Sequence, residues 1–397
     1  MMNKCSNESL FKLYYMLQKS LMIYVVIILY YQYKGLDFTQ IMILNAIISF
    51  VTLILEIPSG IIADLYSRKK LIFFGLVNSI LSLFIILFAK TYLYFIFAAI
   101  LMGISSSAIS GADIAYIYDY FKNNGDEDNF KNYFSKLSSK QFIVIAISTF
   151  ISGSVFSYNP HIPIIMSIIF QLISLIAVSK FKKDNNINKD NEYNISKKLK
   201  EHYRILKQKN IFRLIIIFII MTIIISNLNY LTQPYLVENN IDLRFLGVIF
   251  LSFNMISSYG AKKSNIISKL GSKNIIFIFA IILLILSNLN DYKAIVIFLL
   301  ARFLSGSIWP ALNSDLNKLI DSKNRASIMS YKNLMIQIVF IFLDPLVGFV
   351  ADYRNIHFVY LVLGLILITY LLSTIILSRL RNLYYVQKPK NFYDKAK

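Results

Sequence analysis

Long apolar segments separated by short polar ones occupy almost the whole chain, and this alternation is the strongest pattern in the sequence. A helix that crosses a bilayer needs roughly 20 predominantly apolar residues in a row. Segments of about that length lie near residues 12–33, 38–63, 71–89, 92–119, 137–157, 161–180, 211–236, 244–264, 274–290, 293–317, 327–350 and 355–379. The pattern therefore predicts an all-α membrane protein with twelve transmembrane helices.

One separator is much longer than the others and divides the spans into two sets of six. It runs from Lys182 to Lys209 and is rich in Asn and Lys. The predicted organisation is an N-terminal six-helix bundle over 1–180, a cytoplasmic linker over 181–210, a C-terminal six-helix bundle over 211–381 and a basic cytoplasmic tail over 382–397.

Composition and charge agree with this pattern. Apolar residues make up 57% of the chain and the mean hydropathy is +0.59, which is more apolar surface than one soluble core would bury. The net charge of +20 would suggest nucleic acid in a soluble protein, but here Lys and Arg concentrate in alternate separators, the linker and the tail. This positive-inside pattern predicts a multi-pass protein of the cell membrane with both termini in the cytoplasm, and it leaves no role for nucleic acid.

The residues that usually carry enzymatic or metal chemistry do not form a constellation. Cys5 is the single cysteine, and His161, His202 and His357 lie far apart without metal-ligand spacing. Nucleophile-elbow, phosphate-loop and zinc-protease motifs are absent from the sequence. We therefore expect no enzyme, no metal and no cofactor, and an energy source that is an ion gradient or the substrate gradient itself.

The turn between the second and third spans carries a distinctive motif. It reads Gly60-Ile-Ile-Ala-Asp64-Leu-Tyr-Ser-Arg68-Lys-Lys and follows Glu56-Ile-Pro58. This resembles the corresponding loop of the major facilitator superfamily, in which glycine, aspartate and arginine are each separated by three residues and basic residues follow. The glycine lets helices pack closely, while the charges meet water and helix ends at the membrane rim.

The resemblance covers nearly the whole chain and implies a secondary transporter with the major facilitator fold, built from two pseudo-symmetric six-helix bundles. It also implies a cytoplasmic gate formed by Gly60, Asp64, Arg68 and Asp119, whose charges latch the two halves in the outward-facing state. Asp119 ends the run Ser110-Gly-Ala-Asp-Ile-Ala-Tyr-Ile-Tyr-Asp119, which is similar to the fourth helix of a bacterial drug-efflux branch. The alternative is that these are ordinary interfacial charges with loose pairing.

Charged residues at membrane depth are costly and mark candidate sites. Counting about 1.5 Å per residue places Lys19, Glu56 and Asp113 roughly 10 Å inside the cytoplasmic rim, where they could share one cavity. Ser110 and Asp113 follow one face of span four. Either Glu56 or Asp113 binds and releases a proton in response to Lys19 or a cationic substrate, or Lys19 forms a permanent structural ion pair or extends to the headgroups.

In the second half, Arg302 and Asp344 lie about 12 Å in from the outer face by the same count. We expect both to face inward and to contact each other, because either charge would be costly alone. The pair is either structural or opens to hold a substrate or a proton, which makes Asp344 a third candidate for proton coupling.

Polar residues beside prolines interrupt spans seven and ten. Asn227 and Gln233 do so in the seventh span, and Trp309 and Asn313 in the tenth. Because these are equivalent helices of the repeats in the second half, a central cavity between the halves is the natural site. The candidate cavity residues are thus Lys19, Ser110, Asn227, Gln233, Arg302, Trp309 and Asn313. Trp309 either contacts a lipophilic or cationic substrate or packs within the bundle.

The resemblance favours proton-coupled efflux of small lipophilic or cationic compounds by alternating access. The expected partners are a small-molecule substrate, protons and the lipid bilayer, and the expected state is a monomer. Span five departs from the family because it lacks the Gly-Pro-rich motif of many antiporters. Two alternatives stay open: a proton-coupled or facilitated importer of a small nutrient, and a non-transporting membrane sensor on the same scaffold.

Overall fold

The computed structural model describes residues 6–65, 67–183, 209–264, 267, 269–319 and 325–386. Over these residues the regular structure consists of fourteen α-helices and one short 3₁₀ helix. Eleven helical segments are long and apolar enough to cross a membrane, and the shorter apolar helix Lys273–Leu286 stands at the position of the predicted ninth span. The all-α membrane fold predicted from the sequence is confirmed.

The N-terminal half contains eight helices that form six spans. They are α1 (Asn7–Lys19), α2 (Ile23–Tyr33), α3 (Phe38–Leu65), α4 (Arg68–Phe88), α5 (Tyr92–Ile109), α6 (Ala112–Asn123), α7 (Glu127–Phe156) and α8 (Ile162–Ser179). Helices α1 and α2 together make the first span, and α5 and α6 make the fourth.

The C-terminal half contributes six helices. They are α9 (Lys209–Glu238), α10 (Leu246–Lys262), α11 (Ser272–Leu286), α12 (Ala294–Leu319), α13 (Arg325–Tyr353) and α14 (Ile356–Val386), with the 3₁₀ turn Leu243–Phe245 before α10. Helix α14 continues past the predicted start of the tail at residue 382. Most of the predicted linker, residues 184–208, and the tail from residue 387 lie outside the described residues.

The first span is broken after α1, which the sequence pattern did not predict. The break frees the carbonyl groups of Ser20 and Met22, and both are buried away from water. The hydroxyl of Ser148 donates to the Ser20 carbonyl, and that of Ser152 donates to the Met22 carbonyl at 2.7 Å. The backbone N–H of Ile23 in turn donates to Ser167 Oγ at 3.0 Å. Serines on α7 and α8 therefore replace the hydrogen bonds that the bend removes.

The fourth span is broken between Ser110 and Ala112. Gly111 there has φ of 76°, a left-handed conformation that glycine adopts without steric cost. Helix α6 begins directly after it and places Asp113 in its first turn. Two spans of the N-terminal half thus change direction at membrane depth.

The two halves meet through α3 with α13, α7 with α10, and α2 with α9. The closest backbone approaches lie at the predicted extracellular end. A Cβ at Gly348 would come within 2.6 Å of the Phe38 carbonyl oxygen, and one at Gly247 within 2.4 Å of the Phe150 carbonyl oxygen. Because even a methyl group would clash, glycine at these positions lets the halves close tightly at this end.

Candidate functional site

A central cavity of about 360 Å³ lies between the two halves. Helices α2, α3, α4 and α5 form one wall, and α9 and α13 form the other. The polar residues that line it are Tyr24, Tyr31, Asn45, Ser49, Ser82, Ser106, Tyr230 and Asp344. Its size is at the lower end of the range for small-molecule sites. The sequence analysis predicted a cavity here and, among these residues, proposed Asp344 as a candidate for proton coupling.

Asp344 is the charged residue of the central cavity. Its side chain is 3% exposed, and its carboxylate makes no hydrogen bond or ion pair with another described residue. Tyr230 on α9 and Phe340, one turn earlier on α13, line the cavity beside it. A buried carboxylate without a partner is costly in its charged form.

The predicted contact between Arg302 and Asp344 is wrong. The guanidinium of Arg302 instead donates a hydrogen bond to Asn229 on α9 and lies 5.4 Å from the centre of the Phe253 ring. Arg302 therefore makes both contacts within the C-terminal half and does not line the central cavity. Similar depth in the membrane does not bring two side chains together unless they also point toward each other.

The other candidates of the second half lie outside the lining of the central cavity. Asn227 is buried and donates to the Ile223 carbonyl of its own helix at 2.9 Å. Gln233 is also buried, and its Oε1 has no hydrogen-bond partner among the described residues. Trp309 packs against Phe218 with a ring separation of 5.1 Å, and Asn313 is half-buried on the same helix.

The sequence analysis also missed a buried lysine. Lys332 on α13 is 8% exposed, and its ammonium group lies 3.9 Å from the centre of the Phe218 ring. This aromatic contact partly replaces the hydration that the charge has lost. The available signal was a lysine a short way inside the predicted span that begins at residue 327.

A second cavity, also about 360 Å³, lies within the N-terminal half between the two broken spans. As predicted, it brings together Lys19, Ser110 and Asp113. Glu56, which was expected to share this cavity, is half-buried on α3 and lines neither cavity.

The alternative of a permanent ion pair is not realised between Lys19 and Asp113 in this conformation. The Lys19 ammonium lies 5.4 Å from the centre of the Tyr15 ring, and Asp113 Oδ1 accepts the N–H of Ile114 at 2.7 Å. Neither charge has an ion-pair partner among the described residues.

The structure brings two of the predicted gate residues together. Arg68, at the start of α4, forms an ion pair with Asp119 on α6 and also donates to the Ala115 carbonyl at 3.1 Å. The side chain of Asp64 lies outside the described residues. The expectation of close packing at Gly60 is not met in this conformation, because a Cβ there would meet nothing within 4 Å.

At the predicted extracellular end, one carboxylate joins the two halves. Asp352, near the end of α13, accepts hydrogen bonds from the first turn of α3: from the N–H of Phe38 at 2.9 Å, the N–H of Thr39 at 2.6 Å and the hydroxyl of Thr39 at 2.5 Å. The two backbone N–H donors are among the groups that a helix N-terminus leaves unsatisfied. Asp352 therefore caps a helix of the opposite half.

Over the described residues, eleven candidate spans and the shorter apolar helix α11 form two halves with a cavity between them, which is the arrangement of a multi-pass membrane transporter. The family model of the Major Facilitator Superfamily matches residues 11–289, and the chain belongs to that family.

A related sequence is the uncharacterized MFS-type transporter YxaM of Bacillus subtilis (strain 168), which is 27% identical over 229 residues. The match covers 56% of this chain and 56% of YxaM, so it spans about half the length of that relative.

Solved structures with a similar fold include several different kinds of transporter. The nucleoside transporter NupG matches with a TM-score of 0.73 and 14% identity, over 94% of this chain and 98% of NupG. A POT family transporter in complex with a thioalcohol-conjugated peptide gives 0.68 and 13%, over 93% and 95%. A bacterial homologue of the human lysosomal transporter Spinster, in an inward-facing and unoccupied conformation, gives 0.69 and 13%, over 87% and 81%. At these identities the likeness concerns the fold alone.

Proposed function

We propose that this transporter couples the export of small lipophilic or cationic compounds to the entry of protons, by alternating access. The observation that carries the proposal is Asp344, a buried carboxylate without a partner that faces the central cavity. The rings of Tyr24, Tyr31 and Tyr230 line the same cavity and offer faces on which a cation or an apolar body can lie.

Coupling follows from competition for this carboxylate. A protonated Asp344 is neutral and fits its buried position, whereas an ionised Asp344 needs a positive partner. A cationic substrate supplies that partner only if the proton leaves. Proton and substrate therefore occupy the site in turn, which is the requirement for antiport.

The contacts between the halves indicate the side to which the central cavity opens. Asp352 and the glycine contacts join the halves at the predicted extracellular end. With the termini in the cytoplasm, as the charge pattern predicts, this conformation faces inward and takes substrate from the cytosol or the inner leaflet. Arg68 and Asp119, paired within the N-terminal half, belong to the gate that forms when the inner end closes.

The test uses everted membrane vesicles with a preformed proton gradient and tetraphenylphosphonium as the lipophilic cation. Adding the cation to vesicles that contain the native protein should dissipate the gradient, and Asp344→Asn should abolish this response. Asp291→Asn, which changes an exposed carboxylate at the predicted outer end, is the matched control and should behave as the native protein. Full dissipation by Asp344→Asn vesicles would refute the assigned role.

Two other outcomes would replace the proposal. Accumulation of a nutrient in whole cells, without dissipation in everted vesicles, would identify an importer. Neither activity across a broad substrate panel would favour a membrane sensor.

A further inference from the structure

The cavity within the N-terminal half has a charge pattern unlike that of the central cavity. Lys19 and Asp113 both line it, and their opposite charges leave it with no net charge. The central cavity by contrast has the single carboxylate of Asp344. The two cavities therefore favour different ligands.

Both charges of the N-terminal cavity have unused hydrogen-bonding capacity. The Lys19 ammonium has three N–H donors, and among the described residues it contacts the face of the Tyr15 ring. The Asp113 carboxylate has several acceptor positions, of which one takes the N–H of Ile114. Two opposite charges line one cavity without joining in an ion pair.

The helix breaks explain why these charges can stay apart. Lys19 is the last residue of α1, where a positive charge is favoured, and Asp113 lies in the first turn of α6, where a negative charge is favoured. Each charge is thus held at its own helix end. The breaks place both helix ends against the cavity.

Several uncharged polar side chains that line the N-terminal cavity are held in place by hydrogen bonds to one another. The side-chain amide of Gln18 donates to Gln171 Oε1 at 2.6 Å, and that of Gln171 donates to Ser79 Oγ at 3.0 Å. Because these groups satisfy one another, they define a fixed polar wall. The hydroxyl groups of Ser106 and Ser110 face the same space.

The geometry points to a second ligand site in this cavity, for a small zwitterion that carries an ammonium and a carboxylate group. The ammonium group would pair with Asp113 and the carboxylate with Lys19. A simple cation is attracted by Asp113 but repelled by Lys19, and a simple anion experiences the reverse. A molecule with both charges gains from both residues.

This site adjoins the central cavity. Tyr24, Met102 and Ser106 line both spaces, and the Tyr24 hydroxyl donates to Met102 Sδ at 3.3 Å. A ligand in the N-terminal cavity therefore lies beside the transport site without contacting Asp344. The assignment of a zwitterion site does not depend on the proposed proton coupling.

The test measures binding to the purified full-length protein by isothermal titration calorimetry. The probes are the standard amino acids and glycine betaine, and each amino acid that binds is compared with its amide, a cation, and its N-acetyl derivative, an anion. We expect the zwitterion to bind about tenfold or more tightly than either derivative, since each lacks one charge-assisted contact. Equal binding of the amide or the N-acetyl derivative would overturn the inference, and so would the failure of every zwitterion to bind.

Variants locate the site. Lys19→Met and Asp113→Asn should each weaken binding of the zwitterion about tenfold or more, because each leaves one ligand charge unpaired. The matched controls are Lys293→Met and Asp291→Asn, the same changes in an exposed ion pair, which should bind as the native protein does. Unchanged affinity in either cavity variant would refute the assignment.

Further measurements distinguish a loss of binding from a loss of folding, and the second site from the proposed proton coupling. The thermal unfolding midpoint checks that each variant is folded, and Lys19→Arg should restore most of the affinity because it keeps the positive charge. Asp344→Asn should lose the response to tetraphenylphosphonium yet keep zwitterion binding. A retained response in Asp344→Asn would refute the proton coupling alone. Loss of zwitterion binding in a folded Asp344→Asn variant would instead place that binding in the central cavity and overturn the second site.

Discussion

Asp352 provides the sharpest test of how the two halves are held together. It accepts three hydrogen bonds from the first turn of α3, a helix of the other half. Replacing it by alanine removes these contacts while leaving α3 with its own cap, because Asp37 Oδ1 still accepts the N–H of Gln40 at 2.7 Å. Asp352→Ala should therefore weaken the joined outer end without unfolding the helix.

The size of the effect follows from the contacts. Loss of a helix-capping side chain costs about 0.5–2 kcal/mol, and hydrogen bonds to charged groups contribute about 1.5–3 kcal/mol each when buried. The carboxylate of Asp352 is exposed, so solvent screens it and the lower figures apply. A loss of about 1–2 kcal/mol changes the ratio of the two conformations by about 5- to 30-fold.

The assay is a distance measurement by electron paramagnetic resonance between spin labels at positions 90 and 292, in a Cys5→Ser background. Lys90 and Tyr292 are exposed in loops at the predicted outer end, one in each half. Asp352→Ala should increase the population with the longer distance by the factor given above.

Asp37→Ala is the matched control, because it also removes an aspartate cap from the first turn of α3 but breaks no contact between the halves. It should lower stability without changing the distance distribution. An unchanged distribution in Asp352→Ala, or an equal change in both variants, would refute the assignment of Asp352 as a contact that holds the halves together.

Two further predictions concern packing and titration. Gly247→Ala should lower stability by about 1–3 kcal/mol, because its Cβ would lie 2.4 Å from a backbone oxygen. Gly60→Ala adds a methyl group in open space within α3, where alanine favours the helix more than glycine does, and should not lower the thermal unfolding midpoint. A fall in both variants or in neither would contradict this reasoning. At the predicted outer end, partial burial and then the charge of Lys34 hold the pKa of His161 below its ordinary value. Lys34→Gln should raise that pKa in an NMR titration, and protonation of His161 should reduce stability as the pH falls below about 6.5; an unchanged titration would show that Lys34 has no influence.

The spans could be predicted because the requirement for long apolar segments is local and strong. The breaks could not. The bend at Ser20–Met22 depends on Ser148 and Ser152, which are far away in sequence, and no local pattern reveals that their hydroxyl groups replace the lost helical hydrogen bonds. The left-handed turn at Gly111 carried a local signal, since glycine interrupts an otherwise helical segment, but the apolar run continues across it.

Counting along a helix gave the depth of the charged residues but not their direction around the helix axis. Lys19 and Asp113 do line one cavity, as depth suggested. Arg302 and Asp344 have similar predicted depth, yet Arg302 bonds to Asn229 within its own half and Asp344 faces the cavity between the halves. Direction depends on how the helices are rotated against their neighbours, which a single sequence does not reveal.

The bend in the first span constrains where motion can occur. Because buried serines of α7 and α8 bond to both sides of the bend, straightening it would leave their hydroxyl groups without partners inside the protein. The bend is thus rigid and does not act as a hinge. Helices α1 and α2, on its two sides, must move together with the N-terminal bundle to which they are bonded. The movement of the transport cycle is therefore expected at the interface between the two bundles.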